Sequence, residues 1–193
     1  MAREEEKEMT KKHYYSWQDV ERMCMEIVTD MYTSGYKPDY IVGITRGGNV
    51  PATIISNMTG IPCEALKVSL RDDNQESESN LWMSEQAFGY NLTGVTGITG
   101  SRWDIGLRKK ILVIDDINDT GATFNWIKEN WQSNCLPDEE SWNTVWGETV
   151  KFAVLTENLA SNFHLTNFYA HEINKAEEDV WLVYPWEQVG KYD

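Results

Sequence analysis

Three aspartates and two threonines cluster in one short stretch of this 193-residue chain, directly after an apolar run. The run over 111–114 has the composition of a buried parallel strand. It leads into Asp115 and Asp116, and then into a turn of small residues that opens a predicted helix over 120–131. Free backbone N–H groups at a helix N-terminus favour a phosphate group. Because carboxylates repel a phosphorylated ligand unless they meet its hydroxyls or a cation, the pattern indicates a site for a phosphorylated sugar.

This segment resembles the phosphoribosyl pyrophosphate (PRPP) signature of the type I phosphoribosyltransferases, in which an apolar strand and two acidic residues precede Asp-Thr-Gly-x-Thr. The matching residues are Asp115, Asp116, Asp119, Thr120, Gly121 and Thr123, with Ala122 at the variable place. The resemblance implies an α/β fold of the Rossmann-like three-layer type, with a mainly parallel central sheet, flanking helices and a small C-terminal hood element. It also implies an enzyme of purine salvage that transfers a 5-phosphoribosyl group from PRPP to a nucleobase and releases pyrophosphate.

The resemblance also assigns roles to the signature residues. Asp119 is the family's candidate general base toward a purine ring nitrogen. Asp115 and Asp116 would contact the ribose hydroxyls, and the turn over 120–123 would hold the 5′-phosphate. The expected cofactor is Mg²⁺, bound by Asp116 together with oxygens of PRPP.

A second constellation, Thr45-Arg-Gly-Gly-Asn49, lies between a predicted strand over 40–44 and a predicted helix that ends near Gly60. Glycines let backbone amides approach an anion closely, and Arg46 adds a fixed positive charge. The stretch is similar to the pyrophosphate loop of purine phosphoribosyltransferases. By that match Arg46 and Gly47 hold the leaving pyrophosphate, and the peptide bond between Thr45 and Arg46 is expected to be cis.

The third constellation is the C-terminal stretch Glu178-Asp-Val-Trp-Leu-Val-Tyr-Pro-Trp-Glu187. It is similar to the Asp-x-Trp-x-x-x-Pro-Trp ending of bacterial xanthine-guanine phosphoribosyltransferases. By that match Trp181 stacks on a face of the nucleobase, and Leu182 contributes backbone contacts to the edge of the base. Stacking of this kind contributes about 1–3 kcal/mol per base.

One position departs from the family pattern. In the 6-oxopurine enzymes a lysine follows the strand after the signature helix, whereas this chain has Glu157 there and no lysine between Lys151 and Lys175. A carboxylate accepts hydrogen bonds where the family donates one. The motifs therefore define the sugar-phosphate half of the substrate and leave the identity of the base open.

The rest of the chain predicts alternating helices and strands in one domain over 1–193, which favours a parallel sheet covered by helices. Ser16 and Asp19 resemble a capping box at the start of a helix over 16–34. Residues 1–12 are expected to be frayed. Residues 71–108, with Arg71 and Arg102 as possible pyrophosphate contacts, are expected to form a mobile lid or an insertion. Within them, 84–89 is either a lid segment or a short surface helix, and the tryptophan-bearing stretch 137–147 is expected to be a polar connection.

The composition narrows the choice of partners. The formal net charge is −14, which argues against a nucleic-acid or an anionic membrane partner. No apolar run has the length needed to span a bilayer, so the expected location is the cytoplasm. A homo-oligomer, either dimer or tetramer, is expected, and buried or interfacial roles remain open for the tryptophans over 126–146. A non-catalytic nucleotide or PRPP sensor on the same fold is the alternative function.

Overall fold

The computed structural model describes residues 11–68, 70, 81–89, 104–134 and 139–187. Its main sheet has five parallel strands in the spatial order β3-β2-β4-β5-β6. These strands are β2 (Tyr40–Thr45), β3 (Cys63–Lys67), β4 (Ile111–Asn118), β5 (Val150–Asn158) and β6 (Thr166–Ile173). The parallel sheet confirms the α/β class that the sequence predicts.

The order of the strands reverses at the centre of this sheet. From β2 the chain moves outward to β3 and then returns to the other side of β2 to form β4, with Gly43 opposite Ile114 in the register. Ligands of open α/β sheets bind outside the carboxyl ends of the strands at such a reversal. The two loops that follow β2 and β4 are the two stretches that the sequence singles out.

Two helices cover one face of the sheet. Helix α1 (Trp17–Thr33) begins at a capping box made by Ser16 and Asp19, as the sequence predicts. Helix α2 (Asn49–Thr59) ends at Gly60, whose φ of 74° is left-handed. Apolar side chains of both helices pack on this face with Ile41, Leu112 and Leu155 of the sheet.

The opposite face is covered by three helices, α3 (Leu81–Phe88), α4 (Ala122–Asn134) and α5 (Glu139–Trp142). Phe124, Ile127 and Trp131 of α4 point into the core. The stretch expected to be a polar connection instead places Trp142 and Trp146 in the same core, where their rings stack 5.1 Å apart. Together with the burial of Trp131, this answers the question left open for these three tryptophans, which are core residues.

The region expected to be a lid or an insertion is described only in part. Residues 84–88 belong to α3, whose Met83, Ala87 and Phe88 are buried in the core, so this segment is a packed helix. Arg71, Arg102 and most of the remaining residues of 71–108 lie outside the described residues.

A separate two-stranded parallel sheet joins the two ends of the described chain. It pairs β1 (Lys11–Tyr14) with β7 (Val180–Val183), with Lys12 opposite Trp181. This sheet, named the hood here, corresponds to the expected C-terminal element. The prediction of a frayed start is wrong for Lys11 and Lys12, because backbone pairing with β7 orders a segment whose own side chains are exposed.

None of the helices in the described part of the chain combines the length and the apolar character needed to cross a bilayer.

Candidate active site

The loop after β2 packs directly on the acid pair at the end of β4. A Cβ atom on Gly47 would lie 2.0 Å from Oδ2 of Asp116, and one on Gly48 would lie 2.8 Å from the Cα atom of Asp115. The two glycines are therefore required by close approach, since any side chain would collide with the carboxylates or the strand. Gly47 and Asp116 are 69 residues apart in sequence and thus meet in one site, because the parallel register places the ends of β2 and β4 side by side.

Arg46 stands at the open side of this loop. The peptide bond between Thr45 and Arg46 is cis, as the sequence predicts, and the Arg46 side chain is exposed. Its carbonyl oxygen accepts a hydrogen bond from the amide of Asn49 at 3.3 Å, where α2 begins. The loop therefore brings a guanidinium group and a helix N-terminus to the same edge of the sheet, which suits an anionic group.

Burial changes the acidity of the acid pair. Burial is the largest cause that raises the pKa of Asp115 well above its ordinary value, and the neighbouring Asp116 charge adds to it. Burial also raises the pKa of Asp116, with Glu187 as the second cause. The amide of Asp116 donates a 2.9 Å hydrogen bond to Asp115, which opposes the rise only in part. Two adjacent carboxylates of this kind are poised to meet hydroxyl groups or a cation.

The turn after β4 provides the helix N-terminus that a phosphate would need. Gly121 has a left-handed φ of 84°, and a Cβ atom there would lie 2.5 Å from the amide nitrogen of Phe163. Helix α4 starts at Ala122, and the amide of Asn125 bonds to the Gly121 carbonyl at 3.0 Å. The amides of the first turn before Asn125 have no partner within the helix, and that of Ala122 makes only a 3.4 Å hydrogen bond to the Thr120 hydroxyl, so this turn can bind a ligand.

The side chains of this turn face solvent to different degrees. Thr120 and Ala122 are exposed, and Thr123 is half-buried. The segment after β5 supports the turn from below, because the amide of Asn162 donates to the Thr120 carbonyl at 3.1 Å. An exposed turn that is held by backbone hydrogen bonds to a neighbouring segment is the arrangement expected of a pocket for a phosphate group.

Asp119, at the lip of the same turn, is held by two neighbours. The side-chain amide of Asn158 donates to its backbone carbonyl at 2.8 Å. The ammonium group of Lys175 lies 2.9 Å from its carboxylate oxygen Oδ1. The carboxylate itself remains partly exposed, so it stays within reach of a ligand.

Glu157 does not face this lip. Its Oε1 atom accepts a 2.7 Å hydrogen bond from the side-chain amide of Asn118 in the interior, and burial raises its pKa. Its Oε2 atom is buried without a hydrogen-bond partner. The concern that this carboxylate would replace the base-reading lysine is therefore not supported by the geometry, since the group is committed to an interior contact.

The hood is tied to the signature strand through Tyr184. The Tyr184 hydroxyl donates to the carbonyl of Asp116 at 3.0 Å and is 2.9 Å from the hydroxyl of Thr156. On β7, Leu182 packs into the core while Trp181, on the opposite face of the strand, is 58% exposed. An exposed indole on a strand anchored at the acid pair is available to stack on a planar ring.

The structure therefore brings most of the predicted site residues to one edge of the sheet. Gly47 meets Asp116 directly, and residues 119–123 follow β4 in the turn that leads into α4. Trp181 lies on β7, which Tyr184 ties to the Asp116 carbonyl. Sequence reasoning missed Tyr184, Asn158 and Lys175 as neighbours of the site. Tyr184 lies within the quoted C-terminal motif. Asn158 is the last residue of β5 and Lys175 follows β6, so only the order of the strands in the sheet could have placed them beside Asp119.

The donor set fits a magnesium ion that arrives with its substrate. Within the described ranges, no group of three acidic, histidine or cysteine side chains is placed to hold a metal by itself. Mg²⁺ is commonly bound by one or two carboxylates together with substrate phosphates. The paired carboxylates of Asp115 and Asp116 meet that requirement.

Comparisons with known proteins identify relatives of this chain. Xanthine phosphoribosyltransferase 1 of Saccharomyces cerevisiae is 23% identical over 186 residues, covering 90% of this chain and 88% of the relative. The hypoxanthine-guanine phosphoribosyltransferase of Schizosaccharomyces pombe is 24% identical over 197 residues, with the same two coverages of 90% and 88%. A purine phosphoribosyltransferase of Pyrococcus horikoshii has the same fold, with a TM-score of 0.58 at 21% identity over 94% of this chain and 97% of that one. The family model of the phosphoribosyl transferase domain matches residues 10–167, and the chain belongs to that family.

Proposed function

We propose that this protein transfers the 5-phosphoribosyl group of PRPP to a purine base, forming a nucleoside monophosphate and pyrophosphate. The observation that carries the proposal is the contact of Gly47 with Asp116. This contact places the loop after β2, which suits pyrophosphate, beside the strand whose following turn suits a 5′-phosphate. The acid pair lies between the loop and the turn. A ribose with phosphate groups at both ends matches that spacing of features.

The proposed step exchanges one bond at the sugar for another. The C1–O bond to pyrophosphate breaks, its electron pair leaves with the pyrophosphate, and a ring nitrogen of the base forms the new bond to C1. Asp119 takes the proton that the base loses from its five-membered ring. Asp115 and Asp116 hold the ribose hydroxyls, and the amides of the turn over 120–123 hold the 5′-phosphate.

Arg46 and Gly47 would bind the pyrophosphate on the other side of the acid pair. Asp116 and the donor's own oxygens would hold Mg²⁺, which when bound supplies neutralisation of charge on the leaving group. Arg46 adds a guanidinium group that can contact two phosphate oxygens at once.

Trp181 would stack on the base, and the backbone of Leu182 would contact its edge. The exposure of the Trp181 indole and its place on a strand tied to Asp116 support this assignment. The names of the two yeast relatives support a purine, since one is a xanthine enzyme and the other a hypoxanthine-guanine enzyme. A place in purine salvage follows, while the single domain, the homo-oligomer and the cytoplasmic location stay predictions from the sequence.

The test is release of pyrophosphate from PRPP with guanine, hypoxanthine, xanthine and adenine, each with and without Mg²⁺. We expect turnover with at least one base, and dependence on the metal. Tight binding of PRPP without turnover of any of the four bases would contradict the proposal and favour the sensor.

Asp119→Asn tests the assignment of the general base. We expect a fall in kcat of about 100-fold or more, since general-base contributions are of that order. Asp30→Asn, which changes an exposed acid on α1, is the matched control. Activity of Asp119→Asn within twofold of the parent would remove Asp119 from this role.

A further inference from the structure

The ion pair between Lys175 and Asp119 lies at the lip of the site and faces solvent on one side. The distance from the Lys175 ammonium to Oδ1 of Asp119 is 2.9 Å, and the two side chains are 23% and 43% exposed. Neither group is enclosed, so a ligand that reaches Asp119 also reaches the ammonium group.

The position of Lys175 is fixed by the fold. The side chain of Asn158 is buried, donates to the Asp119 carbonyl at 2.8 Å and accepts from the amide of Lys175 at 3.0 Å. The amide of Leu159 also bonds to the carbonyl of Ile173 at 2.8 Å, which joins the ends of β5 and β6. The buried side-chain amide of Asn158 therefore holds the turn after β6 beside the turn after β4.

The pair presents an acceptor and a donor side by side. A carboxylate accepts hydrogen bonds, and an ammonium group has three N–H donors and no acceptor. Lys175 can therefore keep its contact with Asp119 and still donate a second hydrogen bond to a ligand. The complementary ligand edge carries an N–H group next to a carbonyl oxygen.

Purine bases differ at that edge. Guanine carries the ring nitrogen N7 next to a carbonyl oxygen at position 6, whereas adenine carries N7 next to an amino group, which is a donor. A free 6-oxopurine with its proton on N7 matches both members of the pair. Adenine would set its amino group against an ammonium group, with two donors facing one another.

We propose that Lys175 reads the 6-oxo group of the base and restricts this enzyme to 6-oxopurines, an inference that rests on the proposed function. Lys175 belongs to the turn after β6. In the family pattern the base-reading lysine instead follows the strand that comes after the signature helix. The residue that stands where the family pattern has a lysine is Glu157, near the end of β5, and its carboxylate accepts a hydrogen bond from Asn118 in the interior. Specificity for the carbonyl oxygen is thus supplied by the neighbouring strand.

Lys175→Gln tests the proposal, measured by kcat/KM for hypoxanthine and by the inhibition constant of unsubstituted purine, which lacks the 6-oxo group. We expect kcat/KM for hypoxanthine to fall about 10- to 100-fold, because a hydrogen bond from a charged donor is lost. The inhibition constant of purine and the KM for PRPP should stay within twofold. Lys37→Gln, an exposed lysine just before β2, is the matched control.

Three results would overturn the assignment. Equal losses for hypoxanthine and for purine would show that Lys175 only supports the shape of the site. No loss for hypoxanthine, or a parent enzyme that uses adenine as well as hypoxanthine, would show that the ammonium group does not read the base. Each of these results leaves turnover intact, so it differs from failure of the proposed function, in which the parent enzyme turns over none of the bases.

Discussion

Gly47 is the residue at which the two halves of the site touch. Because glycine has no side chain, the backbone at this position can lie against the Asp116 carboxylate. A Cβ atom there would collide with Oδ2 of Asp116. Gly47→Ala should displace either the loop or the carboxylate by about 1 Å. Because small displacements of this kind can cost up to about 100-fold in rate, we expect kcat/KM for PRPP to fall at least tenfold.

The matched control for Gly47→Ala is Gly106→Ala. Gly106 lies in a short 3-10 helix over 105–107, and a Cβ atom there would come no nearer than 3.2 Å to Asp104. Steady-state kinetics with varied PRPP distinguishes the two variants. If Gly47→Ala kept the kcat/KM of the parent, the close packing of loop and acid would have no functional meaning.

Asp115 shows how a binding site can oppose stability. Its pKa lies above the ordinary value of 3.8 in the folded protein, chiefly because of burial. Between pH 3.8 and that raised pKa the folded state holds more protons than the unfolded chain, so stability is lost as the pH rises through this window. Asp115→Asn removes the titrating charge, and the ligand-free variant should match the parent near pH 4 and exceed its Tm by about 2–4 °C at pH 8.

Thermal unfolding of both proteins across pH 4–8 checks this expectation. Glu148→Asn replaces an acid away from the site and should leave the pH dependence of the parent unchanged. A Tm of Asp115→Asn below that of the parent at pH 8 would mean that the hydrogen bonds to the carboxylate outweigh the cost of burying it.

The signature residues could be predicted individually because their types and spacing report local chemistry. Asp115 and Gly121 belong to one short motif, and the cis bond before Arg46 is expected from the resemblance of its loop to that of the purine phosphoribosyltransferases. Lys175 and Asn158 could not be predicted this way. Their relation to Asp119 exists only because β4, β5 and β6 are neighbours in space.

The hood is the element whose attachment most directly concerns the acid pair. Tyr184 lies at the end of β7 and connects it to Asp116 and Thr156 through one hydroxyl group. Tyr184→Phe removes these hydrogen bonds but keeps the ring, which stacks on Trp186 at 4.8 Å. We expect a loss of about 1–3 kcal/mol in the free energy of unfolding, because buried polar partners lose their donor.

A second effect should appear in catalysis. If the hood positions Trp181 over the base, Tyr184→Phe should raise the KM for the base more than the KM for PRPP. Tyr14→Phe, a change at a 61% exposed tyrosine of β1, is the control for both measurements. Chemical unfolding that gave the same stability for the two variants would show that the hydroxyl of Tyr184 does not anchor the hood.

The central strands β2, β4 and β5 could be predicted because each contains a buried apolar run, whereas the outer strands β3 and β6 mix polar and apolar residues. Strand β1 could not, since Lys-Lys-His-Tyr has no apolar face and is ordered by pairing with β7. The burial of Trp142 and Trp146 could not be predicted for a related reason. Most of their neighbours in sequence are polar, and their burial depends on α4 and β5.

The molecule as a whole carries a charge opposite to that required by its proposed donor. The formal net charge is −14, and PRPP is an anion. Positive groups within the site must therefore overcome the repulsion between the negatively charged protein and PRPP. The structure places an exposed Arg46 and the N-termini of α2 and α4 around the acid pair, and each helix end carries a partial positive charge.

The opposing effects of the negative surface and of the positive groups in the site predict that kcat/KM for PRPP depends on salt. Repulsion between the distant surface charges and PRPP acts over long distances and is screened by salt, whereas the contacts inside the site are short and screened much less. Raising KCl from 10 to 150 mM at fixed Mg²⁺ should therefore increase kcat/KM for PRPP, by up to about twofold. The KM for the uncharged base serves as the internal control and should not change. A steady fall in kcat/KM over the same range would show that Arg46 and the helix ends already dominate the field that the donor meets on its approach.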